Sequence, residues 1–379
     1  VIQWSAEQRA LRESLSRWHE ALSADHVEHD RGAEFSREKW ALVRESGLLR
    51  LPFATQWGGL GQDLLTTMFV LESLGYGCRD GGLNFSVSTH IFSAGVPVHR
   101  FGSDALKQQH MAGICDGSSI GAHAISEPDA GSDAMSMRTS ARAEGAFFVL
   151  DGRKAFVSNG PVADLFVVYA RTGASRDFRG ITAFLVERGT PGFTVGAPVE
   201  KMGLRTSPFC GLTFESCRVP KANVIGRTGS GYLILEHVMV WEILCLFIIA
   251  AGEMQHRLER CLDHAKSRVQ FGQPIGSFQS VADKLVESKI GVETSRKWLY
   301  DTAERFANRE NVTMDIAIAK LLASEANVSS AMAGVQVFGG RGYLTEYGLE
   351  KDLRNAIAGT IYSGTSEMQR RRIATMLGV

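Results

Sequence analysis

The chain lacks a charge of either sign in excess: among 379 residues, 41 Lys and Arg balance 41 Asp and Glu. With no net charge, neither nucleic acid nor an anionic membrane is expected as a partner. It also lacks paired cysteines. Cys78, Cys115, Cys210, Cys217, Cys245 and Cys261 are scattered with no CxxC among them. That spacing excludes a zinc site and a small disulfide scaffold, so no metal is expected, and reduced thiols in a cytoplasmic protein are. The first residues show no basic segment followed by an apolar one, so no secretory leader is expected there. Low-complexity tracts and short repeats are absent. Its glycines do not spell GxGxxG after a strand, which leaves a Rossmann site unsupported. Finally, the most apolar run, Val238 to Ala251, has fourteen residues, whereas a bilayer needs about 20.

What is present changes period twice. Up to about residue 118 the spacing is helical: Leu11, Leu15, Trp18 and Leu22 mark one helix over Trp4 to Ala24. Ser36 opens a second that Gly47 stops, and Asp63 caps a third from Leu64 to Gly75. Phe85 to Phe101 reads as a fourth. From about Ser119 short β-type runs recur: Ile120 to Ser126, Phe147 to Leu150, Lys154 to Ser158, Leu165 to Ala170, Ile181 to Val186 and Gly211 to Phe214. Asp151-Gly152 predicts a hairpin turn. From Tyr232 the helical period returns, first over Tyr232 to Phe271. The expected fold is α+β: an N-terminal helical domain (1–118), a middle β-barrel or sandwich (119–228) and a C-terminal antiparallel four-helix bundle (229–379).

One acid interrupts the apolar run. On a helix, Glu242 neighbours Val238, Met239, Cys245 and Leu246, none of which pairs with a carboxylate. A buried acid needs a partner, and desolvation moves its pKa towards that of a general base. Taken alone, an Arg or Lys from another helix is the plain expectation. Three other stretches read as binding chemistry. Ala124-Ile125-Ser126-Glu127-Pro128-Asp129-Ala130-Gly131-Ser132-Asp133 leaves a strand for a loop of small hydroxyl residues, suited to a heteroaromatic ring or a phosphate or simply to a turn. Arg268-Val269-Gln270-Phe271-Gly272-Gln273-Pro274-Ile275 sets Arg and Gln beside Phe at a helix break, either a dipole-matched surface or a grip on pyrophosphate and adenine. Gln336 to Tyr343 carries paired glycines that let a phosphate approach the backbone, and Ile361 to Gln369 follows it.

In this order, and over essentially the whole chain, these motifs resemble the acyl-CoA dehydrogenase superfamily. SEPDAGSD, KAFVSNG, RVQFGQPIGSFQ, QVFGGRGYLTEY and IYSGTSEMQR carry the resemblance. It implies FAD bound without a Rossmann domain. His123, Ser126, Ser132, Phe156 and Ser158 would surround the flavin ring and upper ribityl. Arg268, Gln270, Phe271, Gln336, Gly339, Gly340, Thr365 and Glu367 would hold the pyrophosphate and adenosine, with the FAD shared across a dimer interface, often within a homotetramer.

Most members of that family carry their catalytic acid in the last motif as Tyr-Glu-Gly-Thr, where this chain has Tyr362-Ser363-Gly364-Thr365. Serine cannot replace a carboxylate as base for a thioester α-proton. A minority, including isovaleryl-CoA dehydrogenases, places the acid twenty-nine residues before the Phe of RxxFG, and Glu242 occupies that position. Trp241-Glu242, Cys245-Leu246-Phe247 and Ser363-Gly364-Thr365 also resemble prolyl-carrier-protein dehydrogenases of secondary metabolism, although Ile243 stands where an Arg is usual. The resemblance implies dehydrogenation of an acyl thioester on CoA or a carrier protein. Glu242 would take the α-proton while hydride passes to FAD, and the Ser363 backbone N–H would steady the thioester oxygen. An electron-transfer flavoprotein would reoxidise the enzyme. The alternatives are an oxygen-reactive flavoenzyme of the same fold and an inactive flavin- or acyl-binding homologue.

Overall fold

The computed structural model describes residues 2–173 and 178–379. The N-terminal third is helical: α1 (Ala6–Ser16), α2 (His19–Ser23), α3 (His26–Gly32), α4 (Arg37–Ser46), α5 (Leu64–Gly77), α6 (Gly81–Ser88), α7 (Val96–Phe101) and α8 (Asp104–Asp116). The caps follow the local chemistry. Ser36 accepts from the Lys39 N–H, Gly47 closes α4 in the left-handed region, and Asp63 accepts from the Thr66 N–H. Trp4 to Ala24, expected as one helix, is two. The chain tightens where the Trp18 N–H turns back three residues to the Leu15 carbonyl, and α2 starts afresh.

The run from Phe85 to Phe101 is also not uniform. Between α6 and α7 it widens into a π-helical segment, Thr89–Gly95. Pro97 supplies a reason: it lacks the N–H that would reach the carbonyl four residues back, that of Ser93. Such π turns occur frequently at functional sites.

The middle third is a sheet of β1 (Gly121–Ala124), β2 (Ser140–Glu144), β3 (Phe147–Ser158), β4 (Leu165–Arg171), β5 (Ile181–Glu187), β6 (Phe193–Val195), β7 (Phe209–Pro220) and β8 (Val224–Ile225). The order is β6-β7-β3-β2-β4-β5-β8, with β1 parallel to β4. One pair, Ser140 with Arg171, joins the two halves between β2 and β4. Phe148 meets Phe184 at 5.2 Å and Phe166 meets Phe193 at 4.9 Å, so aromatic rings fill the space between the halves.

Asp151-Gly152 is not a turn. β3 runs straight through it, paired with β2 on one side and β7 on the other. The register shifts between Leu150 and Gly152, and Asp151 accepts from the Ser216 N–H on β7. A Cβ on Gly152 would lie 2.7 Å from the Thr139 Cα, so glycine serves close strand approach here. The hairpin turn lies earlier, at Gly145, where φ is 55°.

The last third is helical: α9 (Gly231–Ser267), α10 (Gln279–Ala307), α11 (Thr313–Phe338), α12 (Leu349–Ala358) and α13 (Ser366–Leu377). α9 packs against α5, α10 and α11, so it is the axis on which the helical parts meet. Taken whole it is long and apolar enough to cross a bilayer, but 67% of its most apolar window is buried inside the protein. α9 ends at Ser267 rather than continuing to Phe271. The chain then forms a two-stranded hairpin, β9 (Val269–Gln270) with β10 (Gln273–Pro274). Its two loop residues, Phe271 and Gly272, both have positive φ, at 51° and 79°. That is the geometry a two-residue hairpin loop prefers. All six cysteines are free and buried.

Candidate active site

Glu242 projects from α9 into a space closed by the π-helical segment, β1 and the turn between α12 and α13. No Lys or Arg pairs with it among the described residues. Its Oε2 accepts from the Ser93 hydroxyl at 2.6 Å, and its Oε1 from the Ser363 hydroxyl at 2.5 Å. The Glu242 side chain is 13% exposed, enough to be reached and little enough to be desolvated. Burial raises its pKa, and the two hydroxyl donors pull back against that rise.

His123 on β1 brings its Nδ1 to 3.9 Å from Glu242. This is not an ion pair. Burial, with the charge of Lys154, pushes the imidazole down to about 3, so it is neutral. Its Nε2 lies 3.3 Å from the Tyr169 hydroxyl on β4. Burial, then the nearby Glu242 carboxylate, drives the Tyr169 pKa up, so this hydroxyl stays protonated. Tyr362 stands opposite, its ring 5.0 Å from Phe85 and 5.7 Å from Phe247.

Ser363 holds a φ of 53°, uncommon for a residue with a side chain. The Gln369 amide fixes this turn by donating to the carbonyls of Ser363 and Gly364, each at 3.1 Å. The Ser363 hydroxyl thus points at Glu242, and its N–H has no acceptor among the described residues. Thr365 begins α13 as its cap, accepting from the Met368 N–H, and Glu367 is exposed beside it.

The loop between β1 and β2 is pinned from below. Glu127 accepts from the Arg138 N–H at 2.6 Å, the Thr139 N–H at 2.9 Å and the fully buried Lys154 ammonium at 2.9 Å. The Ser126 carbonyl accepts from the Ala155 N–H, which sets Ser126 next to the part of β3 that carries Phe156, and Ser158 ends that strand. Ser132 is exposed in the same loop. Phe156 has a φ of 57° and is 68% exposed, with its ring stacked on Phe209.

Arg268, Gln270 and Phe271 lie elsewhere, on the exposed hairpin beyond the far end of α9. Phe271 is 94% exposed. His264 stacks on Phe338 at 4.1 Å, which brings the end of α11, with Gln336, Gly339 and Gly340, to that same far end. A side chain on Gly339 or Gly340 would meet open space, so the backbone there is free to approach a phosphate. From Glu242 to Arg268 the helix rises about 39 Å. The expected residues therefore form two groups: His123, Ser126, Ser132, Phe156, Ser158, Glu242, Ser363, Thr365 and Glu367 in one, and Arg268, Gln270, Phe271, Gln336, Gly339 and Gly340 in the other.

Both groups suit a flavin dinucleotide. Bulky aromatics held exposed at positive φ, as Phe156 and Phe271 are, are strained, and such strain clusters at ligand sites. Sequence reasoning missed Ser93, Tyr169 and Gln369. Ser93 carried no signal in the sequence, although Pro97 was a clue that its helix is irregular.

The comparisons agree in one direction. The N-terminal, middle and C-terminal domains of acyl-CoA dehydrogenase match residues 5–118, 122–217 and 229–378. An L-prolyl-[peptidyl-carrier protein] dehydrogenase of Pseudomonas fluorescens is 37% identical over 94% of this chain and 94% of its own. Isovaleryl-CoA dehydrogenase of Pongo abelii is 35% identical over 97% and 87%. Among solved structures, the prolyl acyl carrier protein oxidase AnaB matches at 39% identity with a TM-score of 0.96, covering 100% of both chains. An FAD complex of PigA matches at 36% and 0.97, covering 100% of this chain and 99% of its own. The chain belongs to the acyl-CoA dehydrogenase family of FAD-dependent enzymes that dehydrogenate thioesters.

Proposed function

We propose that this enzyme dehydrogenates an aminoacyl thioester, L-prolyl on a peptidyl carrier protein, with Glu242 as its base. The observation that carries the assignment of the base is the position of Glu242: a desolvated carboxylate with no cationic partner among the described residues, touching the Ser363 that stands where most of the family has its acid. The carrier-protein relatives and the motif residues Trp241, Cys245 and Ser363 support this choice of substrate. FAD, when bound, supplies the acceptor for the hydride lost from the β-carbon. Glu242 takes the α-proton. The open Ser363 N–H is placed to donate to the thioester oxygen as negative charge builds there. The apolar face of α9 around Glu242 excludes water, which strengthens both interactions.

The two groups of cofactor residues support an oligomer. One dinucleotide does not reach across about 39 Å of helix, so the flavin end would rest beside His123 and Phe156 of one protomer and the adenosine end on the Arg268 hairpin and Gly339-Gly340 of another. At least a dimer is expected in sedimentation, and a flavin-loaded monomer would contradict this arrangement. Buried free thiols agree with a reducing cytoplasmic setting. An electron-transfer flavoprotein is the proposed acceptor of electrons.

The test is a panel of thioesters mixed with flavin-loaded enzyme without oxygen. L-prolyl carrier protein should bleach the flavin absorbance fastest. Equal or faster bleaching by a straight-chain acyl-CoA would overturn the substrate assignment. Slow reoxidation in air is expected, and fast decay would identify oxygen as the acceptor.

A further inference from the structure

Both oxygens of Glu242 are taken, and by hydroxyls. We infer that Ser93 and Ser363 are positioning residues for proton abstraction, one hydroxyl on each carboxylate oxygen fixing the orientation of Glu242. The inference rests on the reading of Glu242 as the base.

Neither serine arrives there by ordinary backbone geometry. Ser93, 3% exposed, sits in the π-helical segment, opposite the proline that cannot satisfy its carbonyl. A π turn holds one residue more than an α turn, so it rotates side chains away from the directions an uninterrupted helix would give them. Ser363 reaches Glu242 from a left-handed turn, and the buried Gln369 amide holds that turn by both of its carbonyls. Two unusual backbone conformations from separate parts of the chain converge on one carboxylate. The left-handed conformation of Ser363 is strained, and such strain persists where the surrounding structure over-determines it.

The choice of hydroxyls has a chemical consequence. A Lys or Arg only donates, so it would stabilise the carboxylate strongly and weaken it as a base. A hydroxyl both donates and accepts. Ser93 and Ser363 donate to the carboxylate before the reaction. Once Glu242 has taken the α-proton, either can rotate to accept the new acid O–H. Other titratable groups facing Glu242 are His123 from β1, Tyr169 from β4, Tyr362 from the turn after α12 and Cys245 on α9 itself. Burial holds His123 neutral, keeps both tyrosines protonated and pushes the Cys245 thiol up, so none supplies a charge near neutral pH. Lys154 acts on His123 from further away. The two serines are thus the donors that oppose desolvation.

The experiment follows flavin bleaching by substrate in a single turnover as a function of pH. It compares the parent enzyme with Ser93→Ala, Ser93→Thr and Ser363→Gly, each loaded with FAD. Glycine suits the positive φ at 363, so that variant removes the hydroxyl without disturbing the turn. The rate rises with pH as Glu242 ionises. Losing one donor raises the pKa of Glu242, so the rising limb should move to higher pH by about one unit in Ser93→Ala and in Ser363→Gly. Ser93→Thr should restore the parent limb. A limb that stays in place in either hydroxyl-deleting variant, with the rate lowered equally at every pH, overturns the inference. If Ser93→Ala does not retain flavin, Ser363→Gly decides alone. The base assignment itself fails separately, if Glu242→Gln bleaches as the parent enzyme does.

Discussion

Removing the Glu127 carboxylate should damage the loop between β1 and β2 more than any change to the exposed residues of that loop. Lys154 has no exposed surface, and its ammonium touches the Glu127 carboxylate and the Ile125 carbonyl, each at 2.9 Å. Burial, opposed by Glu127, holds Lys154 down to about 8, while the Lys154 charge and the N–H donors keep Glu127 below its ordinary value despite burial. Glu127→Ala strands that ammonium and frees the N–H groups of Arg138 and Thr139. Breaking a buried pair from one side costs about 3–5 kcal/mol. Glu127→Gln keeps an acceptor for the backbone and should lose less. The double variant Glu127→Gln with Lys154→Met removes both charges and should recover much of the loss, a coupling of about 2–3 kcal/mol. Urea unfolding of the flavin-free protein measures the cycle, and flavin titration measures the loop's effect on FAD affinity, which should fall in Glu127→Ala. A coupling below about 0.5 kcal/mol would refute the reasoning, because the pair would then be no more than an exposed contact.

Phe271→Asn should stabilise the flavin-free protein by about 1 kcal/mol, since Asn accepts the left-handed region and the exposed ring loses little packing. The same change should weaken FAD retention, and a thermal scan with a flavin titration checks both. Pro97→Ala returns an N–H to the Ser93 carbonyl and should draw the π turn towards α-helix. Bleaching should then slow by up to about 10-fold below the rising limb with flavin still bound, because Ser93 leaves Glu242 and the limb moves up by about one unit. The raised pKa of Glu242 has a stability sign of its own. A carboxyl raised on folding contributes stability below its unfolded pKa, and that contribution is lost as pH rises through the folded value. At pH 7 Glu242 therefore costs stability, so Glu242→Gln should melt higher than the parent protein. The difference should close as the pH falls below about 4.5.

Long-range order was legible because period and caps are local. Ser36, Gly47 and Asp63 act where their side chains and φ values require. Glu242 was legible as an anomaly, an acid in an apolar run; the cation it suggests when taken alone is not found among the described residues, and two hydroxyls hold it instead. Neither hydroxyl could be found from spacing, since Ser93 lies 149 positions from Glu242 and Ser363 lies 121. Asp151-Gly152 failed for a related reason. The pairing of β3 with both β2 and β7 outweighs the local turn preference and turns the glycine into a register shift. Phe271 was read as the end of a helix, and only the backbone revealed a hairpin loop. The resemblance already divided the cofactor residues into a flavin set and an adenosine set; the length of α9 keeps the Arg268 hairpin apart from Glu242, while Thr365 and Glu367, expected with the adenosine set, start α13 next to Ser363.

The most direct measurement mixes anaerobic, flavin-loaded Glu242→Gln with the thioester that bleaches the parent enzyme. The variant should bind substrate and keep the absorbance of oxidised flavin. Bleaching at the parent rate would contradict Glu242 as the base.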